Sequence, residues 1–272
     1  MSTMTVPTAV AAAPSGSRLR WTLADAATLT WRNLKGLTRV PDAIFFATLQ
    51  PIMFVLLFRF VFGGAITIPG VSYVDYLMPG IFVQTVAFGA VSTAVGLADD
   101  LQKGLIERFR ALPMARSAVL AGRTTADLVR NVFIVTLITV VGYIVGFRIG
   151  TNFGLFLCGA LIVLIFAYSL GWGFATVGLT ASNAETAQVM AFPILFPLTF
   201  ASSAFVPVSS MPGWLQAFAK HQPVTQVVDA ARSLMVGGVT HDTSSIYQAL
   251  AWCAGLLIVL VPLAVSKFRQ VG

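Results

Sequence analysis

The sequence predicts an all-α membrane protein with six transmembrane helices, and three observations carry that prediction. Apolar residues fill 57% of the 272 positions and charged residues only 10%, with a mean hydropathy of +0.86. A soluble domain has roughly a quarter of its residues charged, so no soluble packing could cover this much apolar surface. The apolar residues also gather into six stretches, each close to the roughly 20 residues that a helix needs to cross a bilayer. The net charge of +7 does not point to nucleic acid, because the basic residues flank the apolar stretches and act as topology signals.

Residues 1–17 are rich in Ala, Thr, Ser and Pro and lack an apolar centre, so they read as a disordered tail rather than a signal peptide. In residues 18–40, Leu23, Ala27, Trp31, Leu34 and Leu37 fall within about 120° at helical spacing, with Asp25, Arg32, Lys35 and Arg39 opposite. Such a basic amphipathic helix, placed just before a span, is expected to lie flat in the inner interface. The transmembrane domain occupies 41–272, with spans at about 43–62, 77–97, 119–147, 153–177, 187–206 and 246–265. Gln50, Pro51 and Arg59 interrupt the first span, and the Arg59 head can reach the interface from near its end. Pro193 and Pro197 predict a kink in the fifth.

Two connecting segments have structure of their own. Between the second and third spans, residues 100–112 read as a short amphipathic helix. Asp99 and Gln102 suit a capping box, Pro113 supplies the stop, and Leu101, Leu105, Phe109 and Leu112 share a stripe about 80° wide. Before the last span, residues 207–238 are too apolar for a solvated loop. Pro212 and Pro223 stand where two short helices would start and Gly237-Gly238 where the second would end, which predicts a re-entrant helical hairpin in the outer leaflet.

Sidedness follows from the basic residues. With both termini cytoplasmic, thirteen Lys and Arg fall on the inner side, from Arg18 to Arg269. Only Arg148, Lys220 and Arg232 fall outside, with Arg59 at the border.

The chain carries no recognisable catalytic, cofactor-binding or metal-ligating motif. None of its four lysines (Lys35, Lys103, Lys220, Lys267) follows a glycine, so it lacks a phosphate-binding P-loop of its own. It lacks an HExxH, and His221 and His241 have neither nucleophile nor carboxylate spaced to partner them. Cys158 and Cys253 sit in apolar stretches and read as small packing residues. Ion-coupled carriers place ionisable groups at mid-membrane, yet none of the six spans has Asp or Glu at its centre. Arg123, Asp127 and Arg130 share one helical face at the inner end of the third span; they are read as pairing with one another and extending that helix into the cytoplasm. Gly142, Gly146 and Gly150, and Gly171, Gly173 and Gly178, mark close helix contacts within the chain, with a dimer seam as the alternative. Phe192, Phe196 and Phe200 form a stripe that meets lipid or core, or lines a hydrophobic path.

Three segments in this order resemble the ABC type-2 exporter permeases, most closely the daunorubicin/doxorubicin-resistance type. They are WRNLKGLTRVPDAIFFATLQPIMFVLLF near the start, DLQKGLIERFRALPMARSAVLAGRTTADLVR from Asp100 to Arg130, and FVPVSSMPGWLQAFAKHQPVTQVVDAARSLMVGG before the last span. The resemblance implies a permease subunit of the bacterial cytoplasmic membrane, paired with a second copy of itself and with a separate ATP-binding subunit that holds ATP and Mg. Residues 100–112 would then be the coupling helix, with Leu105, Glu107, Arg108, Phe109 and Arg110 meeting the ATPase. A hydrophobic or amphipathic substrate (drug, lipid or polyketide-like) would pass along the second and fifth spans, by Gln84, Thr85, Ser92, Phe192 and Phe196. An ion-coupled carrier or passive channel that works without an ATPase remains the alternative, since six spans do not specify energetics. A structural anchor for a soluble partner is a third reading, but it would not need the long outer segment.

Overall fold

The computed structural model describes residues 18–38, 41–66, 68, 70–105, 116–237 and 243–270, so the tail at 1–17 lies outside the described residues. Among the described residues nine α-helices follow one another: α1 Arg18–Thr38, α2 Pro41–Leu57, α3 Tyr73–Gln102, α4 Arg116–Val145, α5 Phe153–Thr180, α6 Ala184–Phe200, α7 Gly213–His221, α8 Pro223–Met235 and α9 Thr243–Gln270. A π-helical turn, Phe58–Phe62, extends α2, and a 3-10 turn, Val208–Ser210, precedes α7. Among the described residues four helices are long and apolar enough to cross a membrane: Tyr73–Gln102, Ala118–Val145, Phe153–Thr180 and Thr243–Gln270. Ala47–Phe62 and Ala184–Phe200 are shorter apolar helices. The described residues are thus those of a multi-pass helical membrane protein, with four long apolar helices and two shorter ones.

Local chemistry sets five of the helix ends directly. Ser72, Asn152 and Asn183 each accept a hydrogen bond from a backbone N–H three residues on, at 3.2, 2.7 and 2.8 Å, and so start α3, α5 and α6. Pro223 opens α8 at its first position, where the missing N–H has no helical partner to lose. Gly146, at φ +113, closes α4 with a Schellman-type pair: Phe147 N–H donates to Gly142 O at 2.8 Å and Gly146 N–H to Tyr143 O at 3.4 Å. A residue with a Cβ would strain that turn. The third span therefore stops at Val145. Gly146 and Gly150 then serve the turn and its contacts rather than a helix face.

Two further boundaries differ from expectation in ways that side-chain contacts explain. The fifth span was expected to reach residue 206, but α6 ends at Phe200. Pro193 and Pro197 remove two helical donors, and side chains satisfy the carbonyls beyond them. Gln222 donates to Leu198 O and Ala201 O at 2.9 and 3.0 Å, and Ser202 donates to Thr199 O at 2.6 Å. At the other boundary, Asp99 caps nothing. Helix α3 continues through Asp99, Asp100 and Leu101 to Gln102, with Lys103 N–H donating to Asp99 O at 3.0 Å. Burial of Leu97 against Leu120, Trp172 and Phe268 holds this last stretch helical. Lys103 also sets its ammonium 2.6 Å from Asp99, a hydrogen bond that raises the lysine pKa above its ordinary value.

Helix α3 is the axis. It is the most buried of the long helices and packs against α5, α6, α4 and α8 in turn. Helix α5 fills the other side, against α9 and α8. Helix α1 lies on α4, but not through its apolar stripe. Leu29 is buried, and Thr30 donates to Gly122 O at 3.2 Å. Ala27 stays exposed and Trp31 is 69% exposed.

The segment after α6 is drawn deep into the bundle. Ten of the thirteen α8 residues are buried, among α3, α5 and α9. Arg232, only 4% exposed, ties α8 to its neighbours. Its guanidinium donates to Tyr76 O (3.2 Å), Ser203 O (2.8 Å) and Asp229 Oδ1 (2.7 Å), and lies 3.7 Å over the Tyr76 ring. Two short helices, α7 and α8, stand where the hairpin was expected, with α8 an interior helix.

Arg232→Met should lower stability by about 3 kcal/mol, because it removes a buried planar fork whose charge-assisted hydrogen bonds tie α8 to Tyr76 and Ser203. Arg232→Lys should recover less than half of the loss. Thermal unfolding of the detergent-solubilised protein reads both.

Candidate functional site

One face of α3 repeats at helical spacing as Gln84, Phe88, Val91, Ser92 and Val95. It borders a cavity of about 310 Å³, at the small end for a ligand pocket. Ala47, Gln50, Pro51 and Phe54 of α2, Arg130 and Ile134 of α4, and Gln188 and Phe192 of α6 supply the other walls. The α2 and α6 side is aromatic. Phe88 meets Phe192 and Phe196 edge-on at 6.2 and 5.9 Å between ring centroids. From there a ladder of rings runs along Phe196, Phe200, Phe205 and Phe58, with centroids 5.1, 5.4 and 4.5 Å apart. Such offset stacks hold rings in place beyond their burial alone.

The α3 and α4 side is polar. Arg130 donates to Gly89 O at 2.8 Å and to the Ser92 hydroxyl, and pairs with Asp127 at 3.2 Å. Asp127 also accepts from Thr93 at 2.6 Å. Arg123 reaches Ser92 O and Asp100, both at 3.2 Å, and Asp100 stands 4.0 Å from Arg32 of α1. The absence of a side chain at Gly96 makes room for the Arg123 guanidinium, which a Cβ there would overlap. Arg123, Asp127 and Arg130 were expected to extend α4 into water. They lie between α3 and α4 instead, with Asp127 and Arg130 side chains each 11% exposed. A second hollow, about 800 Å³, opens along this cluster and is lined by Arg32, Asp99, Asp100 and Arg123 among others. The two hollows meet at Ser92, Val95 and Arg130.

Four of the five residues read from sequence as a substrate path, Gln84, Thr85, Ser92 and Phe192, line the one cavity; Phe196 abuts it through Phe88 and Phe192. Ser92 is committed to the protein, since it donates to Gly89 O at 2.7 Å and accepts from Arg130. Sequence reasoning missed Gln50, Phe54, Phe88 and Arg130 as wall residues. The α3 spacing could have found Phe88, four residues after Gln84; the others depend on how α2 and α4 pack. Of the residues expected to meet an ATPase, Leu105 is half-buried after a turn at Lys103-Gly104. Glu107, Arg108, Phe109 and Arg110 lie outside the described residues. Among the described residues no group of His, Cys, Asp and Glu could hold a metal ion.

A family model described as ABC-2 type transporter matches residues 25–236. The daunorubicin resistance ABC transporter permease protein of Streptomyces coeruleorubidus is 35% identical, over 94% of this chain and 90% of its own length. A probable doxorubicin resistance ABC transporter permease protein of Mycobacterium tuberculosis is 28% identical, over 82% of this chain and 80% of its own. A putative transport permease of Pyropia yezoensis is 25% identical, over 82% and 78%.

Asp127→Asn should cost about 3 kcal/mol, since it removes the carboxylate that pairs with the largely buried Arg130. Combining it with Arg130→Gln should cost less than the sum of the two single changes. Chemical unfolding of the four proteins in detergent measures the coupling.

Proposed function

The chain belongs to the ABC-2 type transporter family, and from that premise we propose that it forms the membrane path of an exporter for hydrophobic or amphipathic molecules, drug-like compounds among them. It is a permease subunit of an ABC transporter, a transport component whose ATP hydrolysis lies on a separate partner chain. The observation that carries the export reading is the cavity between α2, α3, α4 and α6, which joins an aromatic wall to a polar one. A molecule with an apolar body and a polar edge fits both walls. The names of the relatives as resistance permeases for daunorubicin and doxorubicin agree with such a substrate.

In this reading the chain crosses a bacterial cytoplasmic membrane six times, with α2 and α6 as the short spans and both termini inside. The excess of Lys and Arg on that side supports the orientation. Helix α1 lies in the inner interface; its exposed Trp31, on the face away from α4, suits the headgroup region. Two copies and two ATP-binding subunits, which hold ATP and Mg, make the working exporter. Residues beyond Gln102, with Leu105, Glu107, Arg108, Phe109 and Arg110, dock on the ATPase. ATP-driven closure there acts on the end of α3, and Asp100 passes the displacement to Arg123 of α4 and Arg32 of α1.

Co-expression with the neighbouring ATP-binding protein and purification in mild detergent should yield a stable complex. Glu107→Ala with Phe109→Ala should cut the permease-dependent part of its ATPase activity at least about fivefold, while both chains still fold. If no ATPase binds, and the protein alone moves solute under an ion gradient in liposomes, the export reading falls to the carrier alternative.

A further inference from the structure

The hollow of about 800 Å³ beside α1 carries both signs of charge. Arg32 and Lys35 line it from α1, and Asp99 and Asp100 from the end of α3. The charges that α4 adds are committed to the protein, Arg130 to Asp127 and Arg123 to Asp100, each at 3.2 Å. Toward solvent the side chains of Arg32 and Asp99 are 42% and 41% exposed. The contacts of the two adjacent carboxylates fall on one oxygen each. Asp99 Oδ2 accepts from Lys103 at 2.6 Å, and Asp100 Oδ2 from Arg123 at 3.2 Å. A second oxygen on each can still accept. Arg32 donates to Asn33 Oδ1 at 3.3 Å and stands 4.0 Å from Asp100, too far for a hydrogen bond. Gly36 leaves room beside them: a Cβ there would meet nothing within 4 Å. Trp31, next to Arg32, is 69% exposed and suits the headgroup level of a bilayer.

We propose that this hollow binds the headgroup of a zwitterionic phospholipid with a primary ammonium, the phosphatidylethanolamine class. Its phosphate sits on Arg32 and Lys35, and its ammonium on Asp99 and Asp100. From the functional reading this takes only the place of α1 in the inner interface. A simple anion would meet the two carboxylates, and a simple cation the basic side chains of α1, so a group with both charges fits best. A primary ammonium brings three N–H donors to the carboxylates. The trimethylammonium of phosphatidylcholine brings none, and phosphatidylglycerol has no cation at all. A headgroup held here ties α1 to the end of α3, beside the segment proposed to dock on the ATPase.

Native mass spectrometry of the full-length permease, delipidated in mild detergent, reads the first lipid bound per chain. The probes are dioleoyl phosphatidylethanolamine, phosphatidylcholine and phosphatidylglycerol. Phosphatidylethanolamine should bind at a concentration at least about fivefold below that of either other lipid. Asp99→Asn should bring phosphatidylethanolamine to the level of phosphatidylcholine and leave phosphatidylglycerol no weaker. Gly36→Leu fills the hollow without altering its charge, and leucine suits a helix better than glycine. It should weaken phosphatidylethanolamine by a similar factor, at an unchanged melting temperature in lipid-free detergent. Equal binding of the three lipids would overturn the proposal. So would tighter binding of phosphatidylglycerol, the mark of a plain basic surface, or a preference that survives both substitutions. These outcomes leave the export reading untouched, because headgroup binding is measured without ATP, transport or the partner chain.

Discussion

Charge that cannot be left in hydrocarbon is what arranges this bundle. A membrane interior offers no water to an ionised or polar side chain, so each must find protein partners or face a water-filled hollow. Both buried charge clusters find theirs on α3. At one end Arg232 of α8 is spent on the Tyr76 ring and carbonyl, on Ser203 and on Asp229. At the other, Arg123, Asp127 and Arg130 of α4 are answered by Asp100, Thr93, Ser92 and Gly89. Pinned at both ends, α3 fixes where α4, α6 and α8 must lie, and the cavity is the space those placements leave beside it.

Much of this was legible in the sequence because it depends on short-range chemistry. Apolar runs of sufficient length announced the spans, and Pro212 and Pro223 marked the starts of α7 and α8, the first standing one residue before its helix and the second being its first residue. The α3 positions Gln84, Thr85 and Ser92, chosen as the polar residues of an otherwise apolar helix, do face one space together with Phe192. What escaped was whatever one helix does to another. Arg123, Asp127 and Arg130 carry the spacing of a self-paired solvated face, and only Gly89 and Gly96 on a different helix make room for them indoors. The end of α6 at Phe200 was hidden for a similar reason: the side chain that satisfies the carbonyls of Leu198 and Ala201 at its end is that of Gln222, over twenty residues downstream. In α1 the apolar stripe did not announce the contact with α4: Leu29, Thr30 and Gly122 form it, and the absence of a side chain at Gly122 lets the two helices come close.

The two walls of the cavity differ in how they are made. Backbone carbonyls of α3 and the α4 arginines interlock, so the polar wall is a by-product of the same pairs that hold the bundle together. The aromatic wall continues a ladder that runs from Phe192 to Phe58 and owes little to ion pairing. Side chains could vary along the ladder without disturbing the charge pairs, whereas changes at Arg130 or Ser92 would reach the core. Shape preference and fold stability are therefore separable on one side of the cavity and inseparable on the other.

Helix α2 stands apart in this arrangement. It closes the cavity with Ala47, Gln50, Pro51 and Phe54, yet among its described side chains only Pro51 and Val55 are buried. Three walls are built into the bundle, while the fourth leans on it. The gap between them works like a caliper with one sliding jaw: its opening is set by the helix that gives up least packing by shifting. A bulkier guest would be accommodated by displacing that jaw, and the cost would be lipid contact exchanged for lipid contact rather than a broken core.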